Sequence, residues 1–100
     1  MAPERIKALV LMGDIHLARR APAEAVAPLR TALAALASEQ VASARVPLAR
    51  RRLAQALRQS GASDEACQEA RRAWLEWEPW RKAYPGEVAE ARAEKDRCPR

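Results

Sequence analysis

The chain has 100 residues, which suits one small domain, and it carries a formal net charge of +5. Alanine is the commonest residue with 24 copies and phenylalanine is absent, so the composition argues against a β-rich fold and favours helices. No apolar run approaches the ~20 residues that a membrane-spanning helix needs, and the first residues lack a signal-peptide pattern. Fifteen arginines against three lysines, with the abundant alanine, suggest the codon usage of a GC-rich bacterial genome. We therefore expect an all-α, cytoplasmic bacterial protein.

The first two helices are predicted over residues 3–20 and 22–38. Apolar residues of the first helix form a stripe wide enough to be buried on two sides. Ala21 and Pro22 separate the two helices by only a few residues, so the helices should be antiparallel neighbours. Pro28 lies inside the second helix, where a proline can bend it.

Two further helices and a terminal one follow. The third is predicted from residue 43 or 44 to residue 59, with Pro47 in its first turn and Gly61 after its end. The fourth covers residues 63–78 and is ended by Pro79. A last helix over residues 87–97 has a weak apolar face and many charges, as expected of a helix that caps the end of a stack.

Two stretches with matching spacing indicate that the helical hairpins are repeats. The first reads Leu9-x2-Met12-Gly13-x2-His16-x8-Ala25-x3-Leu29-x2-Ala32, and the second reads Leu53-Ala54-x2-Leu57-x8-Ala66-x3-Ala70-x2-Ala73. The first stretch resembles a tetratricopeptide repeat (TPR). Units of that family recur every ~34 residues and place small residues where their two helices touch.

The resemblance implies an all-α, TPR-like α-solenoid of two antiparallel hairpins, about 5–38 and 44–78, with a capping region over 79–97. Gly13 and Ala25 would hold the close-contact positions, whereas Ala70 departs from the family because an aromatic residue is usual there. Ala54 follows Gly13 by 41 residues, about two helical turns more than the family repeat. Such arrays usually need about three units. The chain would therefore be the C-terminal part of a longer array, a self-associating protein, or a protein completed by a partner's helix.

The third helix carries the clearest functional indication, because residues 41–60 contain five arginines and no carboxylate. In a TPR-like stack the first helix of each pair lines a concave groove. The register places five polar side chains there: Arg51, Arg52, Gln55, Arg58 and Gln59. Guanidinium groups bind carboxylates through paired hydrogen bonds. We expect a protein–protein interaction module that binds an acidic or helical partner segment; the simpler interpretation is a solvated basic face without a ligand.

The aromatic residues fall within eleven positions: Trp74, Trp77, Trp80 and Tyr84. They either pack the end of the stack beneath the last helix or offer an anchor to a partner. Trp80 follows a proline and is expected to be the most exposed tryptophan. The alternative function is a structural subunit that self-associates through this Trp-rich end into a homo-oligomer. Nucleic acid is a less favoured partner, because a long basic stripe with stacking aromatics is missing.

No catalytic, cofactor or metal site is predicted, and we expect no enzyme activity. His16 is the single histidine and is expected in the core, while Cys67 and Cys98 are expected as two thiols of a cytosolic protein. The three glycines form no phosphate-binding loop. A plain four-helix bundle with a closed core and no groove is the competing fold.

Overall fold

The structure, a computed structural model, describes residues 1–39 and 42–99. Its helices are α1 Pro3–Ala18, α2 Pro22–Ala37, α3 Arg45–Gln59, α4 Ser63–Glu76 and α5 Pro85–Asp96, with one 3₁₀ turn, Glu78–Trp80, after α4. These two described ranges contain no β-strand, so the all-α prediction is confirmed. Within them, no helix combines the length and the apolar character needed to cross a membrane.

Proline determines where several helices begin. Pro3, Pro22 and Pro85 each open a helix, since a first-turn residue has no intrahelical use for the N–H that proline lacks. Pro47 is the third residue of α3, inside the first turn as predicted. Helix α2 continues through Pro28 to its end at residue 37.

The two hairpins, α1–α2 and α3–α4, turn in the same way. Arg20 follows α1 with a φ of +60°, and Gly61 follows α3 with a φ of +95°. In both turns the amide of the next residue, Ala21 or Ala62, donates a 2.8 Å hydrogen bond to the carbonyl five residues earlier. This pattern ends a helix through one left-handed residue. Gly61 lies 41 residues after Arg20, which is the offset between the two sequence stretches.

The core lies mainly between α2 and α3. Leu29, Leu33 and Leu36 of α2 meet Leu53 and Leu57 of α3, and all five side chains are buried. Helix α4 packs on α3 through a face of small side chains, which lets the two backbones approach closely. The buried residues of α4 are Ala66, Ala70 and Ala73. Alanine buries little apolar area, so the large leucines supply most of the hydrophobic stabilisation.

Gly13 allows α1 and α2 to touch. A Cβ atom placed on Gly13 would lie 2.5 Å from Cγ of Leu29, closer than two carbon atoms can approach. The prediction that Gly13 holds a close-contact position is therefore confirmed. The nearest neighbour of Gly13 is Leu29, which lies one helical turn beyond Ala25. Ala25 is itself fully buried.

Helix α3 contacts each of the other four helices, whereas α1 and α5 have no Cα atoms within 8 Å of each other among the described residues. Asp14, in the C-terminal half of α1, meets Arg52 at the middle of α3, while residues nearer the N-termini of both helices line a shared groove. Helices α1 and α3 therefore run in the same direction. In the part of the chain that the structure describes, α1 and α4 have no Cα atoms within 8 Å. A closed four-helix bundle would make its first and fourth helices neighbours, so that fold does not fit.

The placement of α1 corrects two expectations. His16 is not a core residue: its ring is partly exposed, and its Nδ1 lies 3.3 Å from Oε2 of Glu24, since it sits at the polar turn into α2. The wide apolar stripe of α1 is buried on one side only, because α1 stands at the edge of the described helices. Three of its large side chains are consequently exposed: Leu11, Met12 and Ile15.

The cysteines also differ from the expectation. Cys67 and Cys98 form a disulfide, with 5.5 Å between their Cα atoms, and are not two separate thiols. The pairing arises because α5 packs back along α4 and α3, which brings the segment after α5 to the fifth residue of α4. The disulfide does not fit the expectation of two thiols kept reduced in a cytosolic protein.

Candidate interaction surface on α3

Four arginines of α3 form ion pairs, and consecutive arginines point to different helices. Arg50 faces α4, Arg51 and Arg58 face α5, and Arg52 faces α1. Consecutive helical residues point about 100° apart, because ~3.6 residues complete a turn. Three adjacent arginines therefore serve three separate interfaces, whereas Arg51 and Arg58, seven positions apart, share a side.

Arg50 is the most enclosed of these arginines. Its Nη1 donates to Oε2 of Glu69 at 2.7 Å and its Nε donates to Oε1 of Glu76 at 2.6 Å, while 10% of its side chain is exposed. Burial alone lowers the pKa of the Arg50 guanidinium, but hydrogen bonds and charge attraction from Glu76 and Glu69 outweigh burial and raise it above its ordinary value. Arg50 therefore joins α3 to α4 and offers nothing to a partner.

Arg52 joins α3 to α1. Its Nε lies 3.1 Å from Oδ1 of Asp14, and both side chains keep part of their surface in solvent. The structure thus separates Arg52 from the other residues predicted to line one groove. An exposed ion pair of this kind contributes about 0–1 kcal/mol, so Arg52 helps to set the register of α1 and α3 more than it stabilises them.

Arg51 is held between α3 and α5. Its Nη2 lies 3.0 Å from Oε2 of Glu90 and 4.0 Å from Oε2 of Glu87, and its Nη1 approaches Oε1 of Gln55 at 3.4 Å. Only 11% of the Arg51 side chain is exposed. Its Nε is buried without a hydrogen-bond partner among the described residues. The pairing is close but incomplete, which limits what it contributes to holding α5.

Arg58 makes the tightest contact between α3 and α5. Its Nε donates to Oε2 of Glu94 at 2.6 Å and its Nη2 lies 3.4 Å from Oε1 of the same carboxylate. The Glu94 side chain is 7% exposed, whereas Arg58 keeps about a third of its surface in solvent. Gln59, next to Arg58, is exposed.

A groove of about 430 Å³ runs between α3 and α5. Four of the predicted binding residues lie along its α3 side, and we call them the arginine surface: Arg51, Gln55, Arg58 and Gln59. The α5 side of the groove includes Glu90 and Glu94. Arg51 meets Glu87 and Glu90 near the start of α5, and Arg58 meets Glu94 near its end, so α3 and α5 run in the same direction. An acidic helix of the same chain thus lies along the surface predicted for a partner.

Sequence reasoning missed this use of α5. The available signal was the spacing of Glu87, Glu90 and Glu94, which places three carboxylates on one side of a helix. That spacing extends over seven residues, as does the spacing from Arg51 to Arg58. Complementary charges at equal spacing indicate that two helices can pair side by side.

The tryptophans lie at the C-terminal end of α4 and in the segment that follows it. Trp77 is buried and packs on Tyr84, with 5.6 Å between ring centroids, while Arg81 and Lys95 cover the ring of Trp74. Trp74 and Trp77 therefore both contact the segment after α4, and Trp74 also contacts α5.

Trp80, the sixth predicted binding residue, is half-buried, with its ring 6.4 Å from that of Tyr84. It borders a separate groove of about 350 Å³ beside Pro47 and Arg50. The structure does not bring Trp80 together with the arginine surface.

The described residues include no group of three or more side chains arranged to hold a metal ion. Comparisons with models of known protein families, with curated proteins and with solved structures gave no match. The TPR resemblance of residues 9–32 and the binding role of the α3 side chains therefore stay predictions.

Proposed function

We propose that this chain is a non-catalytic protein–protein interaction module of TPR type, which binds an acidic helix of a partner on the arginine surface of α3. The observation that carries the proposal is α5 itself. It is an acidic helix, and it lies along Arg51 and Arg58 with three carboxylates directed at them. A partner helix with the same charge spacing would meet the same complementary donors.

The chemistry of the surface favours carboxylates over other ligands. Guanidinium groups present planar, paired donors that match a carboxylate, and Arg58 uses two nitrogen atoms on Glu94 in this way. Two arginines two helical turns apart favour a helical ligand, because a helix repeats its side chains on one face at that distance. The proposed partner segment is an amphipathic helix with carboxylates spaced like Glu87, Glu90 and Glu94.

Two features support the repeat architecture within this proposal. The hairpin turns after α1 and α3 have the same hydrogen-bond pattern 41 residues apart. Neighbouring helices along the chain pack in order, and α3 contacts both α1 and α5, which have no Cα atoms within 8 Å of each other among the described residues. Both features are expected of stacked helical hairpins.

The test uses a variant of the full chain in which α5 is disabled as a competitor. Cys98→Ser with Glu90→Gln and Glu94→Gln removes the disulfide and two of the three carboxylates; circular dichroism first checks that the variant loses no more helix than the 12 residues of α5. The probe is a fluorescein-labelled peptide with the sequence of residues 83–96, which has four carboxylates and two basic side chains. We expect micromolar binding by fluorescence anisotropy. The affinity should fall several-fold as NaCl is raised from 50 to 300 mM, because salt screens the attraction between the charged side chains.

The matched control changes the same number of charges elsewhere. Adding Arg51→Glu and Arg58→Glu to the disabled variant should abolish binding of the peptide, whereas adding Arg5→Glu and Arg19→Glu, two exposed positions of α1 and its end, should leave binding within about twofold. A folded disabled variant that does not bind the peptide would refute the proposed function.

A second candidate function is the self-associating structural subunit. The observation that favours it is the partly accessible ring of Trp80 beside the groove at Pro47. In that case Trp80→Ala would lower the molar mass measured by light scattering from an oligomer to a monomer, and Arg51→Glu with Arg58→Glu would leave it unchanged.

A further inference from the structure

Helix α5 makes few apolar contacts with the rest of the chain. Of its residues only Ala91 and Glu94 are buried. An alanine side chain contributes little hydrophobic stabilisation, and Glu90 remains 60% exposed although it pairs with Arg51. The attachment of α5 therefore depends on one enclosed ion pair, Arg58–Glu94, on the pairs of Arg51, which solvent and salt weaken, and on the covalent bond beyond its end.

The disulfide holds the C-terminal end of α5 beside the arginine surface. Cys98 lies two residues after α5, and Cys67 lies on α4, 31 positions earlier. One groove of about 260 Å³ is lined by both cysteines and by Arg58 and Glu94. The covalent bond and the tightest ion pair of α5 are therefore adjacent, so the disulfide keeps the Glu94 carboxylate at a high effective concentration next to Arg58.

Without the disulfide, α5 would be joined to the molecule at one end only, through the turn that holds Trp77 and Tyr84. An isolated helix shorter than about 12–15 residues is marginal in water, and α5 has 12. Its docking would then be an equilibrium with an undocked, largely unfolded state. Regions with few buried apolar contacts are the ones that open locally in folded proteins.

We propose that the Cys67–Cys98 disulfide is a redox control on the arginine surface, and that its reduction releases α5 and admits an acidic helix of a partner. This inference rests on the proposed function, since it concerns access to the same surface. In the oxidised chain α5 acts as an intramolecular competitor, and in the reduced chain the competitor is tethered at one end only.

The reductant is a dithiol. One of its thiolates attacks a sulfur of the disulfide, forming a mixed disulfide and releasing the other cysteine as a thiolate that takes up a proton. The second thiol of the reductant then displaces the remaining cysteine. Two electrons pass to the protein, the reductant becomes a cyclic disulfide, and Cys67 and Cys98 end as thiols.

The reducing agent can reach the bond. Both cysteines are partly exposed, and Cys98 also borders a wider surface groove with Arg71, Arg92 and Lys95. Positive side chains raise the local concentration of an approaching thiolate. The structure therefore places the disulfide where a small dithiol or a dithiol protein can attack it.

The experiment compares the oxidised and the dithiothreitol-reduced wild-type chain with the same labelled peptide of residues 83–96. We expect the reduced chain to bind the peptide at least tenfold more tightly than the oxidised chain. The Cys98→Ser chain should bind like the reduced wild type whether or not dithiothreitol is present, which excludes other effects of the reductant. Equal affinity of the oxidised and reduced forms would overturn the proposal.

Hydrogen exchange gives an independent measurement. Amides of residues 88–96 should exchange at least tenfold faster after reduction, while amides of α3 keep their protection. Faster exchange throughout α3 would also overturn the proposal, because the disulfide would then hold the whole fold and not α5 alone. If the disabled variant binds the peptide but oxidation makes no difference, this inference fails and the proposed function stands; if the disabled variant does not bind, the proposed function itself fails.

Discussion

Nε of Arg58 lies 2.6 Å from Oε2 of Glu94, and the two side chains of this pair differ strongly in their access to solvent. Arg58 can turn toward water when Glu94 is removed, whereas Glu94 is left buried and unpaired when Arg58 is removed. We expect Arg58→Ala to lower the free energy of unfolding of the oxidised chain by about 2–3 kcal/mol. Glu94→Ala should lower it by about 1 kcal/mol. Urea unfolding followed by circular dichroism measures both, and equal losses would contradict this account.

Arg50 should be the most costly arginine of α3 to remove. Its replacement by alanine leaves Glu69 and Glu76 without their shared cation in a largely enclosed place, so the expected loss is about 3–5 kcal/mol. Arg50→Lys should recover only part of this loss, because an ammonium group cannot pair with both carboxylates in the same geometry. The matched control is Arg72→Ala on α4, which is 66% exposed and lies 4.0 Å from Glu69. Arg72→Ala should lower the free energy of unfolding by less than about 0.5 kcal/mol. If Arg50→Ala lowered it by a similarly small amount, the buried network would not stabilise the fold.

Gly13→Ala should destabilise the chain although alanine is the better helix former. The new methyl group would meet Leu29 in a packed interface, at a cost of about 1–3 kcal/mol against a gain in helix propensity of about 1 kcal/mol. In a Leu29→Ala background the same change should become neutral or stabilising, because the obstructing side chain is gone. A thermal double-mutant cycle measures the coupling between the two sites. Gly86→Ala, where nothing lies within 4 Å of the added atom, is the control and should be tolerated.

Arg20→Gly should stabilise the first hairpin. Arg20 has a left-handed backbone that costs a residue with a side chain about 1 kcal/mol relative to glycine. In a domain of this size a gain of about 1 kcal/mol raises the midpoint of thermal unfolding by about 4–8 °C. The equivalent position of the second hairpin already holds glycine, so Gly61→Ala should lower the midpoint by a similar amount. Calorimetry of the two variants compares them directly, and a lower midpoint for Arg20→Gly would contradict the assigned turn.

The helices and the hairpin turns could be predicted because their signals are local. Prolines at helix starts, a glycine after α3 and the spacing of small residues around Gly13 each act within a few positions. Helix ends were less certain. Helix α4 ends at residue 76 and α5 begins at residue 85, each two residues earlier than predicted, because the 3₁₀ turn takes the positions between residues 78 and 80 and Pro85 opens the last helix.

The spacing of the glutamates on α5 indicates that this helix can pair with α3, but which arginine each glutamate meets could not be predicted, and neither could the disulfide, because both depend on where α5 lies. Its apolar face is too weak to indicate a packing partner, and with 15 arginines in the chain many pairings of Glu90 or Glu94 are conceivable from sequence alone. The 31-residue separation of the cysteines gives no local cue either. The direction of the α3 side chains followed from helical periodicity, but the neighbour that each one meets is a property of the tertiary fold.

In the folded chain, four arginines of α3 contact six carboxylates: Asp14, Glu69, Glu76, Glu87, Glu90 and Glu94. The helix that holds the excess of positive residues in the sequence therefore has most of its positive charge paired with carboxylates, and Arg45 is its exposed arginine. The excess is displaced to exposed side chains of other segments, such as Arg5, Lys7, Arg19 and Lys82. The distribution of charge along the sequence therefore does not show where the folded molecule is positively charged. Binding of polyanions or of cation-exchange resin would depend on these exposed side chains.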